Sequence, residues 1–263
     1  MIPAAMITEW SQLCPWTSLA QVEQDLVLSR ALVDIYRVPA LREKLVFRGE
    51  TALHKLVLPP AARYSEDLDF VQIRKEPIGP TLDLLRSALE PWLGTSHTDI
   101  GPRGVTQTYR FESETPPVIR LRLKVEINTR EHFHLHPLSH HEFTVASRWF
   151  DGSVQVPVYS VTELLGTKIR ALYQRRKGRD LFDLWHAHQS AALDAAPVVA
   201  VFRHYMQAAG HPITQSVFRS NLEAKMKSKA FLSDTPPLLR GGVEFDPQSA
   251  FHFVDTALLP LIP

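Results

Sequence analysis

The stretch that decides the fold reads Arg48-Gly49-Glu50-Thr51-Ala52-Leu53-His54-Lys55 and continues, after a loop with two prolines, as Arg63-Tyr64-Ser65-Glu66-Asp67-Leu68-Asp69-Phe70. A glycine turn opens a short helical pattern, and a strand is predicted to begin at Asp67. Side chains alternate between the faces of a strand, so Asp67 and Asp69 project from one face, roughly 7 Å apart. Two carboxylates on one rigid edge, close to a glycine turn, are suited to Mg²⁺ and a nucleoside triphosphate.

An ordinary solvated strand face is the alternative interpretation of Asp67 and Asp69. Strands are depleted in aspartate, so a pair at the start of a strand needs a reason. The preceding Gly49 supplies a turn, and Thr51 supplies a hydroxyl where a phosphate would be held. This context favours the metal and phosphate interpretation.

Composition excludes several classes of protein. The 263 residues, 44% hydrophobic and 22% charged, are enough for one large domain or two small ones with a buried core. The net charge of +1 gives no global basic signature, so any nucleic-acid contact must come from local patches. The single cysteine, Cys14, excludes an internal disulfide framework and fits a reducing compartment. With no run of about 18 apolar residues and no signal-peptide pattern, we expect a cytoplasmic protein without a membrane span.

The first half of the chain predicts a mixture of helices and strands. Residues 1–17 are expected to form an irregular arm, and a helix should run from Thr17 or Ser18 to Pro39. A second, amphipathic helix is predicted over residues 80–93. Strands are predicted over residues 67–73, 104–112 and 118–128, and two more over residues 142–158 around a turn at Asp151-Gly152. Residues 44–48 are predicted to form a short buried strand or a helix end.

Glu126 is a candidate third metal ligand. The strand over residues 118–128 alternates apolar and polar side chains, with Glu126 on the polar face. If this strand lies beside Asp67–Phe70, Glu126 can join the same site. Otherwise it pairs with a neighbour on a solvent-facing cationic strand.

The segment His132–His141 is rich in histidine. Alternate histidines on a strand could bind a transition metal. Cysteines are absent there and Pro137 indicates a loop, so a polar loop is the favoured interpretation.

The second half reads as helical from Ser160 onward, so we expect domains at residues 1–158 and 159–263. Ser160 and Glu163 match a capping box. Lys168 falls within the apolar stripe of that helix, where its stem could snorkel or its ammonium could meet a phosphate or the strand carboxylates. Asp180 and Asp183 share one face of the next helix. Apart from any function, they could complement the dipole at the N-terminus of that helix.

Three separated motifs resemble the AbiEii nucleotidyltransferase family, the toxins of type IV toxin–antitoxin systems within the DNA polymerase β-like superfamily. They are Arg48–Leu53, Arg63–Asp69, and the helical run from Lys168 to Leu184. The resemblance implies an α/β (α+β) fold with a mixed, twisted sheet, flanking helices and a C-terminal helical domain.

The resemblance also implies site residues. Metal ligands would be Asp67, Asp69 and, by the loosest correspondence, Glu126. Catalytic residues would be Asp67, Asp69, Lys168 and Asp183. Nucleotide contacts would come from Gly49, Glu50, Thr51, Ser65, Lys168, Arg179 and Asp180. Glu50 departs from the family, which usually has a small residue there. Its carboxylate must point away from the triphosphate, or the nucleotide site is altered.

By the same resemblance, the chain transfers a nucleotidyl group from an NTP to an acceptor, with Mg²⁺ or Mn²⁺ as cofactor. RNA, in particular the tRNA 3′ end, is the expected acceptor, and a cognate antitoxin the expected protein partner. Candidate contacts to the RNA backbone are Arg120, Arg122, Lys124 and the run Arg175–Arg179. One alternative is a binding module of the same fold that has lost catalysis, which Glu50 favours. A weaker one is a metal-dependent phosphohydrolase that uses the same carboxylates.

Overall fold

The computed structural model describes residues 2–102 and 104–263. They form two compact units. The first comprises the residues up to His134 together with Leu138–Tyr159. The second comprises Ser160–Pro263 and the short segment Leu135–Pro137.

The first unit contains five helices and seven strands within its described residues. In chain order they are α1 (Ala4–Trp10), α2 (Leu19–Arg37), α3 (Pro39–Lys44), β1 (Leu45–Arg48), α4 (Gly49–Ala52, continued by a π-helical turn Leu53–Val57), β2 (Asp67–Gln72), α5 (Gly79–Leu93), β3 (His97–Gly101), β4 (Gly104–Glu112), β5 (Arg120–Asn128), β6 (Ser139–Ala146) and β7 (Asp151–Val158).

The described strands form one seven-stranded mixed sheet in the order β3-β4-β5-β2-β1-β7-β6. Strand β2 pairs antiparallel with β1 and parallel with β5, and β1 pairs parallel with β7. On one face, Phe70 of β2 contacts Phe47 of β1 and Tyr36 of α2, with ring centroids 5.3 and 5.9 Å away. The opposite face of β2 carries Asp67 and Asp69, as the two-residue period predicts. The predicted fold class is confirmed.

The N-terminal arm and the last hairpin differ from expectation. The arm contains helix α1 because Ile7 and Trp10 bury one helical face, and the Trp10 Nε1 atom donates to Asp25 Oδ1 at 2.9 Å. The hairpin turn lies at residues 147–150, and Gly152 belongs to β7, opposite Val145. The Arg37 guanidinium lies over Gly152, which belongs to a strand rather than to the turn.

The second unit is helical in its described residues. Its helices are α6 (Val161–Gln174), α7 (Gly178–Gln189), α8 (Ala195–Ala208), α9 (Gln215–Met226), α10 (Lys229–Leu232) and α11 (Pro247–Phe253), with short 3₁₀ or π turns at Pro236–Leu238, Val254–Leu258 and Leu259–Leu261. Helices α6 and α8 approach closely at Gly166, where a Cβ atom would lie 2.4 Å from Val201.

Only half of the predicted capping box forms at the start of α6. The Ser160 hydroxyl accepts the Glu163 backbone N–H at 3.2 Å. The Glu163 carboxylate is used elsewhere: it accepts the N–H groups of Leu135 and His136 and the Tyr205 hydroxyl. A buried carboxylate needs such donors, which explains why segment Leu135–Pro137 packs with the helical unit.

Among the helices of residues 2–102 and 104–263, none has both the length and the apolar character needed to cross a bilayer.

Candidate functional site

Strand β2 places the predicted carboxylates at the edge where it begins. Asp69 lies opposite Arg48 of β1 and beside Glu126 of β5, and Asp67 lies beside Lys124. Because paired residues in a sheet project to the same face, these five side chains share one polar surface. The adjacency that Glu126 requires in order to join the site is therefore present.

Gly49 lies directly against Asp69. Its φ of +79° is in the region that favours glycine. A Cβ atom on Gly49 would also lie 2.4 Å from Asp69 Oδ2 and 2.8 Å from Asp69 Cβ and Cγ. Backbone conformation and space therefore both require glycine, and the turn brings the backbone of this loop onto the carboxylate.

A pair of hydroxyls ties this turn to β2. The Thr51 hydroxyl donates to the Asp67 carbonyl oxygen at 2.6 Å and lies 2.6 Å from the Ser65 hydroxyl. Thr51 is fully buried and Ser65 nearly so. Both hydroxyls, predicted from the family to contact the nucleotide, are engaged in fixing the position at which β2 begins.

The Glu50 carboxylate is directed at Arg63. The Arg63 Nη2 atom donates to Glu50 Oε2 at 2.9 Å, and the Ser65 hydroxyl donates to Glu50 Oε1 at 3.3 Å. The Arg63 side chain is 0% exposed and that of Glu50 10% exposed. The residue that departs from the family thus has a buried cation that neutralises its charge. Arg63 is part of the quoted motif, but nothing in the sequence assigned it to Glu50.

Asp67 has an unusual electrostatic environment. Burial raises its pKa to about 7, and the charge of Asp69 adds to this rise. Lys124 lowers the pKa in part, whereas Glu66 and Glu126 raise it. The Asp67 Oδ1 atom is buried and makes no hydrogen bond to any of the described residues. Concentrated negative charge and an unsatisfied hard oxygen are properties that fit a divalent cation.

Glu126 lies at the margin of this surface. Its side chain is 43% exposed, and its Oε1 atom is 3.8 Å from Lys124 Nζ. Within the described part of the chain, the oxygens of Asp67, Asp69 and Glu126 do not form one group with all distances below 4.8 Å. Glu126 shares the polar face with Asp67 and Asp69 but is more exposed than a buried metal ligand would be.

In the second unit, the predicted Lys168, Asp180 and Asp183 form an ion-pair cluster. The Lys168 ammonium lies 3.1 Å from Asp180 Oδ1 and 2.9 Å from Asp183 Oδ2. Both aspartate side chains are 0% exposed and that of Lys168 is 7% exposed. The Arg175 guanidinium reaches Asp180 with two hydrogen bonds, at 2.7 and 2.8 Å. The sequence placed Lys168 in the apolar stripe of α6. It did not show that the carboxylates that pair with Lys168 lie on the next helix, α7.

Arg179 has a carboxylate partner that the sequence did not reveal. Its Nε atom and its backbone N–H both lie 3.2 Å from Asp234 Oδ2, 55 residues away. A separation of this length gives no periodic signal.

The histidine-rich segment begins as a loop, and its last two histidines, His140 and His141, lie on β6. His132 Nδ1 lies 2.8 Å from the Gln72 carbonyl oxygen, and the His134 ring packs on Tyr159. In the described ranges, no three metal-ligating groups that include these histidines lie within 4.8 Å of one another.

Comparison with known protein families identifies the family of the chain. The family described as "Nucleotidyl transferase AbiEii toxin, Type IV TA system" matches residues 30–251. The chain belongs to this family. The resemblance drawn from the three motifs is therefore confirmed, and the chain is a member of a family of nucleotidyltransferase toxins. No curated protein gave a significant match.

Two solved structures are similar to this AbiEii-family chain. MenT4, a nucleotidyltransferase toxin of Mycobacterium tuberculosis H37Rv, matches over 100% of both chains with 17% identity and a TM-score of 0.52, which supports the fold. An antigenic nucleotidyltransferase-like protein of Paracoccidioides brasiliensis matches 77% of this chain and 95% of its own with 18% identity and a TM-score of 0.39.

Proposed function

We propose that this AbiEii-family protein transfers a nucleotidyl group from an NTP to a hydroxyl of RNA, with the tRNA 3′ end as the favoured acceptor. The acceptor oxygen forms a bond to the α-phosphorus, the bond from that phosphorus to the β-phosphate oxygen breaks, and pyrophosphate leaves. The hydroxyl proton passes to solvent. Family membership supports nucleotidyl transfer and the toxin class. The NTP, the metal and the RNA acceptor are our proposal.

The observation that carries the proposal is the close approach of Gly49 to Asp69, beside Asp67, whose buried Oδ1 atom has no hydrogen-bond partner among the described residues. A turn that admits no Cβ atom lets a phosphate chain approach the carboxylates closely. Burial raises the pKa of Asp67 to about 7, and the neighbouring carboxylates, only partly offset by Lys124, add to this rise. A site of this kind gains stability from an added cation.

We propose Mg²⁺ as the physiological cation, with Mn²⁺ as a substitute, held by Asp67 and Asp69 and completed by Glu126. Carboxylate oxygens are the ligands that these hard cations prefer. When bound, such a cation neutralises triphosphate charge and lowers the pKa of an attacking hydroxyl.

The protein residues around the carboxylates have supporting roles in this proposal. Thr51 and Ser65 fix the start of β2 and so hold Asp67 in place. Arg63 neutralises Glu50, so the carboxylate that departs from the family does not oppose a triphosphate. The binding-module alternative drew on Glu50, and the Arg63–Glu50 pair supports the catalytic proposal over it.

For the second unit, we propose that Lys168 stabilises charge on the triphosphate. Asp180 and Asp183 then act as positioning residues that fix the Lys168 ammonium. Arg179 keeps its predicted nucleotide contact as part of this proposal.

We propose RNA and an antitoxin protein as the binding partners of the chain. Arg120 and Arg122, both exposed on β5, are local cations for an RNA backbone. A cognate antitoxin is the proposed protein partner, and a small winged-helix protein encoded directly upstream would support it. The cytoplasm, where RNA and NTPs occur, is the proposed location.

The test is incubation of the full chain with each labelled NTP, Mg²⁺ and total RNA. We expect label in RNA from at least one NTP, and none after chelation with EDTA. Asp67→Asn and Asp69→Asn should each reduce transfer at least about 1,000-fold, since metal-assisted charge stabilisation is worth several kcal/mol.

The matched control is Asp99→Asn, which removes an exposed carboxylate from β3 of the same sheet. Transfer by this variant should equal that of the wild type. Full activity in both Asp67→Asn and Asp69→Asn would exclude the carboxylate site as the catalytic centre.

A further inference from the structure

A pocket of about 170 Å³ lies on the sheet face that carries Asp67 and Asp69. Its floor is formed by Val46, Val71 and Ile73. Val71 follows Asp69 by two residues on β2, so both side chains project from one face. Val46 pairs with Val71 across from β1. The pocket therefore continues the line of the two carboxylates along the strand.

The walls of the pocket are mostly aromatic rings. They come from His132, Phe133 and His134 of the loop before β6, and from Tyr159. The Tyr159 hydroxyl donates to the Phe133 carbonyl oxygen at 3.3 Å, and His132 Nδ1 is held at 2.8 Å by the Gln72 carbonyl oxygen. These bonds to backbone fix the loop, so the pocket is formed before any ligand enters.

An ion pair connects the pocket with the carboxylates. Arg48 lies opposite Asp69 in the strand register, and its Nη1 atom is 3.3 Å from Glu131 Oε2. Glu131 lines the pocket and also accepts from Asn128 Nδ2 at 2.9 Å. A group that extends from the carboxylate site into the pocket would pass this pair.

We propose that the pocket takes the heterocyclic base of the NTP whose triphosphate binds at Asp67 and Asp69. This inference rests on the proposed function. The volume is well below the roughly 300–1,000 Å³ of pockets for drug-sized ligands, so it suits one ring system and not a whole nucleotide. Aromatic walls stack on any base, because every base has a π face.

The spacing along β2 agrees with this assignment. The strand advances roughly 7 Å from Asp69 to Val71. In an NTP, the ribose and the α-phosphate separate the base from the β-phosphate by a distance of the same order. Apolar burial by Val46, Val71 and Ile73 adds to the affinity for a flat ring without selecting its polar edge.

The experiment measures binding of the full chain to each of the four NTPs and to inorganic triphosphate, by titration calorimetry with Mg²⁺ and without RNA. The variants are Phe133→Ala, which removes a half-buried wall ring, and His134→Ala, which removes an exposed one. The control is Phe143→Ala, a half-buried phenylalanine of β6 outside the pocket.

We expect the tightest NTP to bind more strongly than triphosphate in the wild type. Phe133→Ala should weaken that NTP about fivefold or more, since loss of one base-stacking ring has an effect of this size. His134→Ala should weaken it in the same direction, so the outcome does not depend on one variant folding. Triphosphate binding in both variants, and all binding in Phe143→Ala, should match the wild type.

Two other outcomes overturn the inference in different ways. If triphosphate binds but the NTP is no tighter, or neither pocket variant changes NTP affinity, the base lies elsewhere and the proposed transfer stands. If neither triphosphate nor any NTP binds to the wild type, the proposed function fails and the pocket assignment fails with it.

Discussion

Two pairs of aspartates in this molecule have different charge environments. Asp180 and Asp183 on α7 are completely buried, and the Lys168 ammonium lies within 3.1 Å of both. On β2, burial together with the charge of Asp69 raises the pKa of Asp67 to about 7, and Lys124 offsets this rise only in part.

The difference lies in what each pair is able to bind. A buried carboxylate with a matched cation close by is satisfied and gains little from another cation. The pair on β2 includes Asp67 Oδ1, which is buried without a hydrogen bond to the described residues. Desolvated, repelling carboxylates have a lower free energy when a cation is added, so the pair on β2 is the one to which our proposal assigns a cation.

Removal of the Lys168 charge should have the largest effect on stability. Lys168→Met keeps the aliphatic stem but deprives two fully buried carboxylates of a donor, which typically costs about 3–5 kcal/mol. The sequence alone, which shows only an ammonium in an apolar stripe, suggests the opposite result. Urea unfolding should show a much lower midpoint for Lys168→Met than for Lys168→Arg, and equal midpoints would contradict the ion-pair role.

Added Mg²⁺ should stabilise the protein through the aspartates of β2, by less than the loss of stability expected for Lys168→Met. Mg²⁺ at 100 times its dissociation constant would raise the free energy of unfolding by about 2.7 kcal/mol. Thermal unfolding should show this shift in the wild type and in Asp99→Asn, and not in Asp67→Asn. NaCl of equal ionic strength is the control, and an equal shift with NaCl would mean that Mg²⁺ acts only by screening.

Neutralisation of Asp67 should stabilise the metal-free protein. Asp67→Asn removes a charge that burial and Asp69 both disfavour. We expect a gain of about 1 kcal/mol in EDTA, of the size seen when a destabilised active site is relaxed. Asp99→Asn should leave the unfolding free energy unchanged. A loss of stability in Asp67→Asn would show that its charge is already compensated.

The parts of the site that the sequence predicted depend on local periods. Asp67 and Asp69 share a face because strand side chains alternate, and this holds in any tertiary context. Gly49 was read as a turn, and its φ of +79° agrees. The alternation of residues 118–128 predicted β5, and its polar face carries Glu126 beside Asp69.

The parts that the sequence did not reveal depend on partners distant in the chain. Arg63 meets Glu50 from 13 residues away, and Arg179 meets Asp234 from 55. Such pairs have no periodicity, since they are selected by packing. Strand β3 was missed because all but one of its residues are exposed, which leaves no apolar alternation to detect.

The smallest effect should come from the second cation of the helical pair. Arg175 contacts Asp180 with two hydrogen bonds, but its side chain is 49% exposed whereas that of Lys168 is 7% exposed. Solvent screens a half-exposed charge, and such pairs contribute about 0.2–1 kcal/mol. Arg175→Met should therefore lower the free energy of unfolding by less than about 1 kcal/mol, and Arg175→Lys by less still. Urea unfolding of Arg175→Met and Lys168→Met side by side tests whether burial or the number of hydrogen bonds determines how much a cation at Asp180 contributes to the free energy of unfolding. If Arg175→Met were as damaging as Lys168→Met, two hydrogen bonds would outweigh burial, and the distinction between the aspartate pairs could not rest on desolvation.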